Sequence, residues 1–229
     1  MKKLYILFFM ISAFCSAQTT LVSGDIAVIY HLSETSTTPA GTTANVDRLG
    51  LVLLKNITAN TTFKVTENGS SNGTSLQLVE GVIVFTAQSN LAAGTVLDFV
   101  SRDQLNTGRS SNIPLITDGN SPVDYALSTA GDQTIVYTGS ESSPTFIYSA
   151  FFDGTSWDTV CTSTLGGCSG SESFEPTTGV TFAYGSTSNS EFDNNWYNGP
   201  TTFANPAAAL AAINNPANWS GENTNSGTG

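Results

Sequence analysis

The residues best suited to chemistry sit in two short stretches, "DGTSWD" at 153–158 and "EFDNNWYNGP" at 191–200. Both crowd carboxylates, amides and aromatics together. Calcium takes oxygen from carboxylates, amides and backbone carbonyls, so it is the cofactor these stretches suit, with Asp153, Asp158 and Asp193 as its ligands. Neither stretch has the spaced acids of an EF-hand loop, and Asp and Asn are also ordinary turn residues. Aromatics beside amides suit sugar stacking. Trp157, Trp196 and Tyr197, with Asn194 next to them, form the candidate ligand-binding set, and Trp219 is a weaker fourth. Packing is the competing expectation, because Trp and Tyr bury large areas with one polar handle.

Other chemistries find less support. Triad catalysis needs a histidine base. His31, at the end of the first apolar run, is the one histidine, and no GxSxG elbow names a serine for it. His31 is expected at the surface or rim. Metal hydrolysis through a histidine cluster is excluded on the same count. A glycosidase needs two carboxyls. Glu34, Glu67, Glu80, Asp98, Asp153, Asp158, Glu172, Glu175, Glu191 and Asp193 are all available, and spacing selects no pair among them. A hydrolase is therefore one alternative to binding, and an accessory domain that only supports a neighbour is the other.

The elements that must position these residues read as strands. "DIAVIY" (25–30), "LGLVLL" (49–54), "TTFKVT" (61–66), "GVIVFT" (81–86) and "TVLDFVS" (95–101) are followed by "QTIVYT" (133–138), "TFIYSAFF" (145–152) and "GVTFAY" (179–184). These runs are short, rich in β-branched and aromatic residues, and bounded by Gly, Asn, Asp or Ser. "LGLVLL" should be buried on both faces, and Asp98 should face out. Such strands predict an all-β antiparallel β-sandwich, with a barrel as the alternative. One helix is expected in "NPAAALAAINNP" (205–216), capped by Asn205, begun by Pro206 and stopped before Pro216. Leu210 and Ile213 would share its packed face, with Trp219 as their partner.

The N-terminus reads as an export signal. Lys2 and Lys3 precede an apolar run from Leu4 to Phe14 that is too short to span a bilayer. Cleavage is expected after Ala17. A lipoprotein signal at Cys15 competes poorly, because Phe14 is large where a small residue is wanted. The domain organisation is then a signal over 1–17, one sandwich over 18–220 and a polar tail over 221–229. Without Lys2 and Lys3 the net charge moves from −11 to −13, which disfavours nucleic acid as a partner. No later stretch reaches transmembrane length. Cys161 and Cys168 remain after cleavage, and in an exported chain one disulfide is the simplest pairing, with two reduced thiols as the alternative. The short loop "CTSTLGGC" would contribute roughly 2–3 kcal/mol if closed.

Several blocks carry a family likeness: "GDIAVIYHLSE" (24–34), "NITANTTFKVTENG" (56–69), "NLAAGTVLDFV" (90–100), "LSTAGDQTIVYTGS" (127–140), "PTFIYSAFFDG" (144–154), "YNG" (197–199) and "AAINNPANW" (211–219). Together they resemble a β-rich module common in secreted and cell-surface proteins of the Bacteroidetes, often cargo of the type IX secretion system. The resemblance implies an extracellular module with no agreed activity, and the outer-membrane secretion machinery as one partner. Glu67 stands where the family usually has Asp, and Ser70 where it has an aromatic. "DTV" at 158–160 resembles the O-glycosylation pattern of such exported proteins, which makes Thr159 an acceptor. The expected function is binding or adhesion, to a glycan or a surface protein. Within "EFDNNWYNGP", Tyr197 is expected to anchor the closing segment and Gly199-Pro200 to turn the chain, which leaves Asp193 and Asn194 as the ligand-facing pair.

Overall fold

The computed structural model describes residues 17–35, 46–77, 80–100, 115–118, 125–129, 131–160, 172–185 and 191–223. The eight apolar runs all form strands: β1 (Ile26–Thr35), β2 (Val46–Leu53), β3 (Thr62–Thr66), β4 (Val82–Thr86), β5 (Val96–Val100), β7 (Gln133–Ser140), β8 (Ser143–Phe151) and β9 (Val180–Ala183). Three further strands join them: β6 (Leu115–Asp118), β10 (Asn194–Tyr197) and β11 (Trp219–Glu222). They build a five-stranded sheet, β11-β10-β1-β2-β5, and a six-stranded sheet, β6-β4-β3-β7-β8-β9. Strand pairs are antiparallel except β8 with β9. The sheets stay separate, so the fold is a sandwich and the barrel alternative falls.

The core lies between the sheets. Leu49, Leu51, Leu53, Leu97 and Phe99 from one sheet meet Phe63, Val65, Phe85, Ile147 and Phe152 from or beside the other. Phe63 stacks on Phe85 at 4.3 Å, which fixes the β3–β4 pair on its core face. β2 is central in its sheet, and its apolar run is buried on both faces except at half-buried Val52.

A β-bulge sets the chemistry of β1. Val28 pairs with Leu51 and Tyr30 with Gly50, so Ile29 is an extra residue on β1. The bulge inverts the alternation beyond it. Tyr30 turns out and His31 turns in. On the outer face Tyr30 lies flat over Gly50, where a Cβ would come within 2.1 Å of its ring. Its hydroxyl donates to Asp98 Oδ1 at 2.5 Å, and Arg48 grips both Asp98 oxygens at 2.8 Å. Asp98 does face out, as read.

The helix α1 (Pro206–Ile213) follows the sequence expectation closely. Asn205 Oδ1 accepts from Ala208 N at 2.9 Å, and Pro206 opens the helix. Ala209 and Ile213 are buried and Leu210 is partly so. Trp219 does not only pack on the helix. Its indole N–H donates to the Ile213 carbonyl at 2.6 Å, while Asn218 Nδ2 donates to the Ala212 carbonyl at 2.9 Å. The last-turn carbonyls at the helix end thereby gain side-chain donors, Ala212 beside the Asn215 N–H it already accepts at 3.2 Å. A 3₁₀ turn, Pro216–Asn218, leads straight into β11. Gly221 and Glu222, expected in the polar tail, therefore belong to the sheet and pair with Asn195 and Asn194.

Candidate functional site

An open cleft of about 720 Å³ lies beside β9, the edge strand of the six-stranded sheet. The loop after β8 supplies one wall. Phe151 ends that strand, and its ring stacks on Trp157 at 5.0 Å. This stack holds the indole in the wall with 9% of its surface exposed. Asp158 comes next and pairs with the segment Ser173–Phe174. Its N–H donates to the Ser173 carbonyl at 3.1 Å, and its Oδ2 accepts from Ser173 N at 2.9 Å. Glu175, on that segment, also lines the cleft, with Oε1 accepting from the Thr181 hydroxyl of β9 at 2.6 Å. Asn72, Asn214 and the exposed Thr159 complete the rim.

The segment 172–177 is held from below. Ser70 N donates to Ser173 Oγ at 2.9 Å, Phe174 N to the Ser70 carbonyl at 3.0 Å, and Thr177 N to the Gly73 carbonyl at 2.8 Å. Both carboxyls of the cleft thus stand on hydrogen-bonded backbone. Its electrostatics are one-signed. Burial raises Asp153 to about 6, and Asp158, Glu191 and Glu172 add to the rise. Asp158 is also raised, by burial first and by Glu172, against the opposing Ser173 N–H. Glu191 is raised by burial and then by Asp193. The ion pairs among the described residues lie elsewhere, at Arg48–Asp98, Lys55–Asp25 and Lys64–Glu141, and no Lys or Arg among the described residues lines the cleft. Such a site favours neutral polyhydroxyl groups or cations over anions.

The structure divides the sequence-predicted set. Trp157, Asp158 and Thr159 meet in the cleft, and Asp153 acts on it through its charge. Trp196, Tyr197 and Asn194 do not join them. They form β10 in the opposite sheet, where consecutive residues face opposite ways. Trp196 pairs with Tyr30 on the outer face, while Tyr197 makes an edge contact to Trp219 at 6.2 Å. The expected stacking platform is therefore not assembled. Asn194 is buried, with 4% exposed. The Asp193 carbonyl accepts from both Ser33 N at 2.9 Å and Ser33 Oγ at 2.6 Å, and Asp193 N donates to Asn223 Oδ1 at 3.3 Å. Tyr197 donates its hydroxyl to the Pro200 carbonyl at 2.9 Å, closing the Gly199-Pro200 turn. "EFDNNWYNGP" fastens the fold. Among the described residues no three His, Cys, Asp or Glu side chains converge as a metal site requires, so Asp153, Asp158 and Asp193 are not a joint ligand set there. Cys161 and Cys168 lie outside the described residues.

No protein-family model, curated protein or solved structure matches the chain. The reading of the site rests on its own geometry.

A second group of acids lies inside the sandwich. Glu67 and Asp132 are each 1% exposed. Ala126 N donates to Glu67 Oε1 at 2.9 Å and Oε2 at 2.8 Å, and Gly81 N reaches Oε1 at 3.3 Å. Ser128 N, Gln133 N and Gln133 Nε2 donate to Asp132, and Gln133 Nε2 also donates to the Glu67 carbonyl. Burial, then the Asp132 charge, pushes Glu67 up to about 10. Burial, then Glu80, pushes Asp132 well up, and burial takes Glu80 to about 7. His31 belongs to this interior and not to a rim. It is 1% exposed, tilted against Phe152 at 4.6 Å, with Nδ1 at 3.0 Å from Thr134 Oγ1. Burial lowers it to about 3, so it is neutral at ordinary pH. Glu67, Asp132 and His31 have the perturbed acidity of catalytic residues, but all three are buried, whereas Glu80 is only partly so.

Sequence reading had no signal for Thr181, Asn214 or Asn72 as rim residues. The cleft draws on five separated segments, and only the fold brings them together.

Proposed function

We propose that the chain is an exported, non-catalytic binding module whose cleft at Trp157, Asp158 and Glu175 holds a neutral glycan. The observation that carries this reading is the cleft itself. It has an aromatic wall, two carboxyls fixed as hydrogen-bond acceptors, hydroxyl and amide groups around them, and no cationic residue among those described. Sugars present apolar faces to indoles and hydroxyls to fixed carboxylates. Export is supported by the charged start and apolar run at the N-terminus. Among the described residues no helix is long and apolar enough to cross a membrane.

The test is a glycan array followed by calorimetry on any hit. Glu175 is exposed, so Glu175→Gln and Thr181→Val should preserve the melting temperature. They should weaken binding at least fivefold, since each removes part of one hydrogen-bonded unit. A blank array, with and without added calcium, would overturn the glycan reading and leave a surface protein as the partner. A second reading draws on the same two carboxyls. Asp158, held above the usual range by burial and lining the same cleft as Glu175, is the kind of acid that acid–base hydrolysis uses. Release of reducing sugar that disappears in Asp158→Asn would establish it.

A further inference from the structure

A separate apolar pocket of about 370 Å³ lies between helix α1 and the five-stranded sheet. The register puts Ala27, Val52 and Val96 on one face, opposite the core-facing Val28, Leu51 and Leu97. The bulge adds Ile29 to that face. Ala27 is fully buried there, while Val96 remains 52% exposed at the edge of the pocket. Helix α1 provides Ala209 and Ile213 as a wall, and Tyr197, Pro200 and Phe203 provide the opposing rim. The turn at Ala93-Gly94 borders the mouth. Gly94 has φ +88°, and a Cβ there would meet nothing within 4 Å, so this side is open.

The lining chemistry is restrictive. Among the described residues no charged side chain lines the pocket. Its polar side chains are largely engaged elsewhere: the Tyr197 hydroxyl on the Pro200 carbonyl, and Asn205 Oδ1 on Ala208 N. A polar group entering it would lose water without compensation. Water gains few hydrogen bonds there either, so an apolar occupant is favoured. We propose that this pocket binds the unbranched aliphatic chain of a small amphiphile with a neutral head. A methylene is about as large as a water's share of the liquid, about 30 Å³, so the space accepts a chain on the order of ten carbons. A neutral head is favoured because no lysine or arginine among the described residues stands at the rim to hold an anion, and the chain carries a net charge of −11.

The test is calorimetric titration of the purified chain with 1-hexanol, 1-octanol and 1-decanol, with decanoate as the anionic comparison. The expected result is saturable binding that strengthens roughly fourfold per methylene, with decanoate weaker than decanol. Ala209→Leu fills the pocket and Val96→Asp places a charge at its mouth. Each should weaken decanol binding at least tenfold. Val96 is exposed enough to be replaced without unfolding the chain, which circular dichroism verifies, so the test stands even if Ala209→Leu does not fold. Absence of saturable binding by the folded chain, affinity independent of chain length, or unchanged affinity in Val96→Asp would each overturn the proposal. Self-association of a chain that ignores alkanols would reassign the pocket to a second copy and overturn it as well.

Discussion

Replacing Glu67 by glutamine should remove much of the alkaline instability of this domain. The Glu67 carboxyl is 1% exposed, and burial followed by the Asp132 charge raises it from an ordinary value of 4.5 to about 10. The folded state therefore holds a proton that the unfolded state releases. Its contribution is fully present below about pH 4.5 and is lost as pH rises towards about 10. Each pH unit in that window is worth about 1.4 kcal/mol. His31 acts in the opposite sense below about 6.5, because burial lowers it to about 3. The two effects offset one another between about 4.5 and 6.5, so the informative range lies above. From about pH 6.5 to about pH 8.5, Glu67 alone should cost the wild type about 3 kcal/mol. Glutamine keeps an oxygen for Ala126 N and carries no charge, at about 1 kcal/mol for imperfect pairing. Urea unfolding followed by tryptophan fluorescence at several pH values measures both proteins. The wild-type midpoint should fall steeply across the range and that of Glu67→Gln less so, with Asp132 leaving some slope in both. Parallel curves for the two proteins would refute the reasoning.

Three other outcomes follow from the same structure. His31→Gln should uncover the Glu67 effect, because the His31 loss that offsets it below about pH 6.5 is gone; unfolding at about pH 4.5 against about pH 6.5 should show a variant more stable at the lower pH where the wild type stays nearly level. Trp219→Phe removes the donor to the Ile213 carbonyl and part of the packing on Phe152 and Phe182, and should cost about 2–4 kcal/mol in chemical denaturation. Gly50→Ala drives a methyl into the Tyr30 ring and should cost about 1–3 kcal/mol while loosening the Tyr30–Asp98 bond, seen as a change in near-ultraviolet dichroism.

The strands that were legible are those whose burial demands β-branched and aromatic residues. β10, "NNWY", and β11, "WSGE", lack that composition and form because β1 and then β10 offer them an edge. The helix was legible to its cap because Asn-Pro at its start is a local instruction. His31 was misplaced for a specific reason. Strict alternation from Ile26 points it outward, and one extra residue at Ile29, invisible in the sequence, turns it in. The stacking set failed on parity, since neighbours such as Trp196 and Tyr197 cannot share a face of one strand. Trp157, Asp158 and Thr159 survived as a group because they sit on a single loop. Glu175 was legible only as one acid among many, and the Thr181 hydroxyl that positions it is 6 residues further along.

The order of the five-stranded sheet has a kinetic consequence. β1 lies between β2, its near neighbour in the chain, and β10, whose contact through Ser33 and Asp193 spans 160 residues. The six-stranded sheet holds two hairpins, β3–β4 and β7–β8, and none of its pairings spans as much of the chain, so it can form early. The other sheet waits for a loop closure across most of the chain, an entropic cost that must be met before any native contact repays it. Folding should then proceed in two phases, with an early hairpin-rich half and a late step in which β10 and β11 seal the edge of β1. Until that step, one side of β1 is an open template, and the last strands to arrive protect the first strand from pairing with other molecules.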